Sequence, residues 1–421
     1  MRMVNFSSCL PYIREFELNR VNGMAVISTG IVKNCIVILG AATTLFACGG
    51  EQDATSEKEA ARVETIADLG ALPLKASDPA DNPSTPGKVA LGRLLFFDPV
   101  LSGNKDVACA TCHQPEFNYA EFLETSIGVN GVGRGQNRRF VDPNDIPFVK
   151  RNSQSVLNTA FNGLKNGEEY DPASAPMFWD VRAKGLEQQA LEPIRTLEEM
   201  RGNGFHETGI LDEVVTRLSR IPEYRRLFSV AFPEAQSPVS QLNLARALAA
   251  YERTLVAPNT RFDQYMRGDS NALSTGEKEG MNAFLVTGCA KCHSGPMFSD
   301  FKLHTLGVPD TENRKESDPG ADKKYAFRTP SLRNLRFTGP YMHSGKFATL
   351  DQVLMFYEDI AGGKLLNPHV KEGQVDPLAT HMDVNFKDIS RIVEFLNTLN
   401  DDSFDKSVPE NVPSGLPVMG K

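Results

Sequence analysis

Alternating apolar and polar positions are almost missing from this sequence, which argues against a fold built on β-sheet. No apolar run spans a bilayer comfortably, so a membrane bundle is excluded. Positive charge is not in excess. Lys and Arg number 45 against 53 Asp and Glu, a net charge of -8 with a pI near 5.5, which argues against nucleic acid and suits a basic patch on a docking partner. Cysteine is scarce, with seven in all, and tryptophan occurs once, at Trp179. No histidine lies between His113 and His206. What is present is ordinary for a globular protein, 41% hydrophobic and 23% charged. At 421 residues the chain has room for two or three domains.

The N-terminus reads as a targeting segment, because the apolar stretch 35–47 (CIVILGAATTLFA) follows Lys33 and ends in small residues. Met24 is a candidate start, since a signal peptide beginning there has a more usual length. The string Leu45-Phe46-Ala47-Cys48 resembles a bacterial lipobox, in which Cys48 becomes the lipidated first residue; Phe46 is atypical for that motif. The expectation is a periplasmic protein with a signal peptide over 1–47, anchored through Cys48 if the lipobox is used. A flexible tether is expected over 48–85.

Three of the seven cysteines, Cys9, Cys35 and Cys48, lie in or at the edge of the targeting segment. The other four form Cys109-Ala110-Thr111-Cys112-His113 and Cys289-Ala290-Lys291-Cys292-His293, two C-x-x-C-H units. This spacing lets two thiols add to the two vinyl groups of one haem while the adjoining His turns onto the iron. A redox dithiol or a zinc site is the alternative for one unit, and a second unit with no further mature cysteine argues against both. Two covalently bound haem c groups are expected.

Each motif follows a helical pattern, GKVALGRLLFFDP before the first and TGEKEGMNAFLVTG before the second, which suggests a duplication. LDEVVTRLSRIPEYRRLF, QLNLARALAAYERTL and FKDISRIVEFLNTLN also carry apolar residues at helical spacing. Pro and Gly clusters such as SDPADNPSTPG and DPNDIPF mark loops. The expected fold is mainly α, with two cytochrome-c-like haem domains over 86–265 and 266–421 and long connecting loops.

The strings LGRLLFFDPVLSG, RNSQSVLNTAFN, MFWDVRAKGLEQQALEPI, the pair Glu199-Met200 and RTPSLRNLRFTGPYMHSGKFATL resemble the bacterial di-haem cytochrome c peroxidases together with MauG. The resemblance spans most of the mature chain. It implies a peroxidatic N-terminal haem and an electron-transfer C-terminal haem. It also implies that most members close the first haem with a second His, at the position where this chain has Val129 in SIGVNG. With no His before His206, the first haem is expected to stay open, as in MauG, with His113 as its one axial ligand. His206 is expected to be an ordinary surface residue.

The sixth ligand of the second haem, opposite His293, is implied to sit on the helix after PYMHSGKFA, a Met in most peroxidases and a Tyr in MauG. Thr349 and Gln352 form a capping box there, so the faces follow at about 100° per residue. Leu350, Val353, Leu354 and Tyr357 share one face, and Met355 points away. Tyr357 is the expected ligand, with Met355 and Met342 as rivals; as a core aromatic it would need a partner for its hydroxyl.

The resemblance further implies that Glu199 moves the proton during O–O cleavage and that Gln189 orients peroxide. By itself LEEM is only an acidic patch. Trp179 in FWDVR is implied to bridge the haems, although a single Trp is also a natural core residue. The family usually has Gly where Val181 stands. A Ca²⁺ between the domains is implied, held by the amide oxygen of Asn152 and the carbonyls of Thr338 and Pro340.

Three functions fit these residues. One is a hydrogen-peroxide reductase fed by a small cytochrome c or cupredoxin docking near the C-terminal haem. Another is a MauG-like oxidase that uses peroxide to oxidise residues of a partner protein. The third is a non-catalytic electron-transfer module, which an open haem beside Glu199 and Gln189 argues against. Dimerisation is implied by family habit alone.

Overall fold

The computed structural model describes residues 64–314 and 316–421. The expected signal peptide, Met24, Cys48 and the first part of the expected tether lie outside the described residues. Seven helices of ten residues or more carry the described part. They are α1 (Pro86–Phe97), α2 (Ile210–Arg220), α3 (Pro222–Ala231), α4 (Gln241–Glu252), α5 (Thr275–Val286), α6 (Leu350–Ala361) and α7 (Phe386–Asn397). Three two-stranded antiparallel hairpins accompany them: β1 (Gly131–Val132) with β2 (Arg139–Phe140), β3 (Pro176–Met177) with β4 (Ala183–Lys184), and β5 (Leu303–Thr305) with β6 (Ala326–Arg328). The fold is mainly α with long connections, and none of the described helices is long and apolar enough to cross a membrane.

The helix before each C-x-x-C-H motif is set by the same devices. Thr85 accepts from the Lys88 backbone N–H with Pro86 in the first turn of α1, and Ser274 forms a capping box with Glu277 at the start of α5. Each then meets a later helix through a glycine. A Cβ on Gly92 would lie 1.9 Å from the Ala247 carbonyl oxygen of α4, and one on Gly280 would lie 2.1 Å from that of Arg391 on α7. Only glycine permits these approaches. The internal similarity of the sequence therefore corresponds to two equivalent helix pairs, each supporting one motif.

Two apolar cores follow. Leu91, Leu95, Phe96, Leu248 and Tyr251 belong to the first, and Phe262, Phe284, Phe298, Ile392 and Phe395 to the second. The two ends of the described residues cross between them. Phe404, Val412 and Met419 pack into the first core, although they follow the second motif, whereas Leu69 packs into the second. The segment 64–85 is thus no free tether: Leu69 and Leu72 are each 2% exposed, and the Gly295 N–H donates to the Asp68 carbonyl at 2.7 Å. The C-terminal tail likewise departs from a simple division after residue 265. Both departures come from apolar contacts that have no periodic signature.

Candidate active site

One cavity of about 590 Å³ is lined by Cys109, Cys112 and His113 and also by Cys289, Cys292 and His293. All four cysteines are free thiols. The two histidines are prepared alike. His113 Nδ1 lies 3.1 Å from the Tyr119 carbonyl oxygen, and His293 Nδ1 lies 2.9 Å from that of Phe298. Only an Nδ1–H can donate to a carbonyl, so Nε2 keeps its lone pair for a metal. Burial supports the neutral form, pulling His113 down to about 4 and His293 below its ordinary value. Two thiols beside a neutral, oriented imidazole at each end of one cavity fit a covalently bound haem at each motif.

Gln189 and Glu199 line this cavity. Gln189 Oε1 is buried without a hydrogen-bond partner, an acceptor that a bound molecule could satisfy. Glu199 sits in the π-type turn Leu197–Arg201. Burial pushes its carboxyl up to about 7; Arg182 opposes this, and Glu198 adds to it.

Val129, where a distal His was looked for, is fully buried in the first core. Its N–H donates to the Glu199 carbonyl at 3.2 Å, and a Cβ on neighbouring Gly128 would strike the Glu198 and Glu199 carbonyls. The SIGVNG segment therefore backs the Glu199 turn and sends no side chain from Val129 into the cavity. His206 is an exposed residue bonded to Thr208 at 2.9 Å and does not line the cavity.

Trp179 lies at the tip of the β3–β4 hairpin, 9% exposed, and lines the cavity shared by both motifs. Its Nε1–H donates to the Asn152 carbonyl at 3.0 Å, and its own carbonyl accepts from the Arg328 N–H at 2.7 Å. The backbone on either side is left-handed, with φ of 67° at Phe178 and 53° at Val181. A glycine at 181, which the resemblance leads one to expect, would take that φ freely, whereas a β-branched residue adopts it only with strain.

Helix α6 starts at the Thr349–Gln352 capping box, as its sequence implies. Leu350, Val353, Leu354 and Tyr357 line the cavity. Burial raises the Tyr357 phenol above its ordinary pKa, and the neighbouring Cys292 and Cys289 add to that, which places it beside the second motif. Met355 is 41% exposed and outside the cavity, so it is withdrawn as a rival ligand. Met342 lines the cavity and packs in the same apolar cluster as Tyr357.

Asn152, Thr338 and Pro340 all line the same cavity. Asn152 Nδ2 donates to the Leu123 carbonyl at 2.9 Å, which turns its Oδ1 away from that carbonyl. The free amide oxygen is compatible with a hard cation.

Charged residues form a second layer that the sequence did not single out. Arg151 bridges Asp180 at 2.7 Å and Asp318 at 2.6 Å, and Arg182 meets Asp180 at 2.8 Å. Near the second motif, His304 is held between Asp300 at 2.9 Å and Asp376 at 2.7 Å. Burial works against its charge, yet the two carboxylates push it up to about 12. With both ring nitrogens donating, His304 offers no lone pair to a metal. None of these pairings is local in sequence, apart from two short-range ones, so no motif could have announced them.

The fold and cavity define a two-centre c-type haem protein. A sequence profile described as Di-haem cytochrome c peroxidase matches residues 86–271. The chain is 35% identical over 334 residues to the methylamine utilization protein MauG of Methylorubrum extorquens, covering 78% of this chain and 84% of that protein. It is 33% identical over 339 residues to the cytochrome c551 peroxidase of Pseudomonas aeruginosa, covering 78% and 83%. Among solved structures, a MauG-like protein associated with microbial copper homeostasis aligns with a TM-score of 0.63 and 26% identity, over 79% of this chain and 95% of that one. The chain belongs to the di-haem cytochrome c peroxidase and MauG family. It is an oxidoreductase of the cytochrome c peroxidase type, and membership implies two covalently bound haem c groups.

Proposed function

We propose that this chain is a periplasmic di-haem peroxidase that reduces hydrogen peroxide to two waters with two electrons and two protons, and that it reacts in its fully oxidised state. The observation that carries this reading is the burial of Val129 behind the Glu199 turn, in place of a side chain that could close the first haem. A haem held by Cys109, Cys112 and His113 would supply peroxide binding and one-electron exchange.

The rest is assigned to side chains. Glu199, close to half-ionised near neutral pH, takes the proton from the attacking peroxide oxygen and returns it to the departing one, so that water leaves rather than hydroxide. Gln189 Oε1 accepts from the peroxide O–H and orients it. Trp179 relays electrons between the centres held by His293 and His113. Its Nε1–H bond to Asn152 fixes the ring in the shared cavity. Asn152, Thr338 and Pro340 are assigned to a Ca²⁺, and a basic-faced cytochrome c or cupredoxin is the assigned donor.

A second reading, a MauG-like oxidase acting on a partner protein, is favoured by Tyr357. Were Tyr357 to help hold the second haem, its phenolate would favour oxidised iron more than a thioether would. The experiment that tests the first reading is an optical and low-temperature EPR titration of the oxidised, haem-loaded protein with hydrogen peroxide. Loss of the high-spin signal without prior reduction is expected; no reaction until one haem is reduced would mean that a distal ligand closes the first site. Tyr357→Phe should alter the spectrum of the second haem alone. An unchanged spectrum transfers the ligand role to Met342.

A further inference from the structure

Glu252, the last residue of α4, has no part in the chemistry assigned above. It is 4% exposed, it lines the cavity, and its Oε2 is buried without a hydrogen-bond partner. Among the described residues no cation lies within ion-pair distance of it. Its neighbour Arg253 turns instead to Glu187, at 2.6 Å. Glu252 also acts on Cys109, where its negative charge reinforces the effect of burial on the thiol. A carboxyl so placed stands beside the attachment edge of the first haem, where a change in iron charge is felt across a dry, weakly screening interior.

We propose that Glu252 is a redox-linked proton site of the first haem, taking up one proton from solvent when the iron gains one electron and returning it on oxidation. The inference rests on the assignment of that haem to Cys109, Cys112 and His113. The balance is simple: ferric iron with the carboxylate, plus one electron and one proton, gives ferrous iron with the carboxylic acid. Reduction adds negative charge to the cavity, and protonation removes it.

The charged groups around Glu252 agree with this role. Burial pushes its carboxyl up to about 8; Arg253 on the same helix opposes this, and Glu187 from the segment Gly185–Gln189 adds to it. From α1, Lys88 lies one step further out, in the field of Arg253 and Glu187. Cys109, facing Glu252 from the motif, becomes an uncharged thioether once haem is attached and then no longer titrates. Glu187, whose side chain is 21% exposed, reaches solvent and also accepts from the buried Asn82 Nδ2 at 2.6 Å.

The test is a spectroelectrochemical titration of the haem-loaded protein on both sides of about pH 8. The midpoint potential of the first haem should fall more steeply with pH on the alkaline side, where Glu252 is ionised in the oxidised state, than on the acid side, where Glu252 is protonated in both states and Glu199 alone still titrates. Glu252→Gln should remove the added fall that sets in at about pH 8 and leave the second haem unchanged. Glu199→Gln should retain it, which separates Glu252 from the other carboxyl of the cavity. A flat wild-type potential, or a Glu252→Gln variant that keeps the wild-type dependence, overturns the proposal. A measurement on wild-type protein removes any dependence on how the variant folds. With ¹³C-labelled glutamate, a reduced-minus-oxidised infrared spectrum above that pH should gain a carboxylic acid C=O band on reduction, and its absence is equally fatal. Two haems per chain with a flat potential would sink this inference alone, whereas a single haem would sink the di-haem assignment with it.

Discussion

Glu199 shows how burial and charge set a single side chain against each other. Removal from water raises its carboxyl, and the Arg182 guanidinium beside the cavity mouth lowers it, leaving it at about 7. The ionised form takes the peroxide proton, so the rate of reaction with peroxide should rise with pH through about 7 and fall below it. Arg182→Gln removes the opposing cation and should move that midpoint to higher pH, measured by stopped-flow. Glu199→Gln should leave both haems attached and slow the reaction by roughly 10²–10⁴-fold, the usual worth of a positioned general acid–base. Full activity in that variant would remove Glu199 from the mechanism. The same physics leaves His113 and His293 neutral: burial lowers both, and the carbonyls five or six residues later that accept from Nδ1–H only partly oppose it.

At the scale of elements, the β3–β4 hairpin is the device that presents Trp179. Two non-glycine residues in left-handed conformation, Phe178 and Val181, turn the chain tightly enough to aim the indole inward. Arg182 helps to hold the turn, with its guanidinium 3.6 Å from the centre of the Phe178 ring. A β-branched residue at φ 53° costs about 1–3 kcal/mol. Val181→Gly should relieve most of this, less about 0.5–1 kcal/mol for the greater freedom of the unfolded glycine. Calorimetry should therefore find a higher Tm, while the Trp179 Nε1–H bond to Asn152 persists. A lower Tm would mean that the Val181 side chain contributes packing that outweighs the strain. The clamp of His304 between Asp300 and Asp376 works at the same scale, joining the loop after the second motif to strand β5 and to the segment that begins at Asp376.

At the scale of the whole molecule, the two ends of the described residues exchange halves. Residues 68–72 pair with the second half, where Arg333 bonds the Gly70 carbonyl and forms a bidentate pair with Asp263, whose Oδ1 also accepts from the Leu72 N–H. The tail returns to the first motif: Thr111 Oγ1 donates to the Met419 carbonyl at 2.7 Å, and the Met419 N–H donates to that of Phe97 at 2.9 Å. Truncation after Asp401 would remove three buried apolar side chains, Phe404, Val412 and Met419, from the first core. The expected loss is roughly 5–9 kcal/mol at about 1.5–3 kcal/mol per side chain. Haem occupancy at Cys109 and Cys112 should fall while that at Cys289 and Cys292 holds, as mass spectrometry of the two haem peptides would show. Equal loss at both motifs would mean that the tail stabilises the chain as one unit.

Several features were determined by the sequence alone, because the chemistry is local. Two thiols and an imidazole within five residues specify a haem attachment site wherever the chain takes them. A capping box fixes where α6 begins and hence which of its side chains, Tyr357 or Met355, faces inward. The helical strings before the two motifs announce the duplication, and the close approaches at Gly92 and Gly280 appear only once the helices pair. Other features were decided only by tertiary structure. Val129 shields the Glu199 turn, Arg151 links Asp180 to Asp318 across the fold, and Glu252 is left unpaired beside Cys109. Each depends on burial or on partners far away in the chain. A carboxylate in a sequence is only an acid; its pKa, and so its use, is set by how far water is excluded and by which charges the fold places beside it.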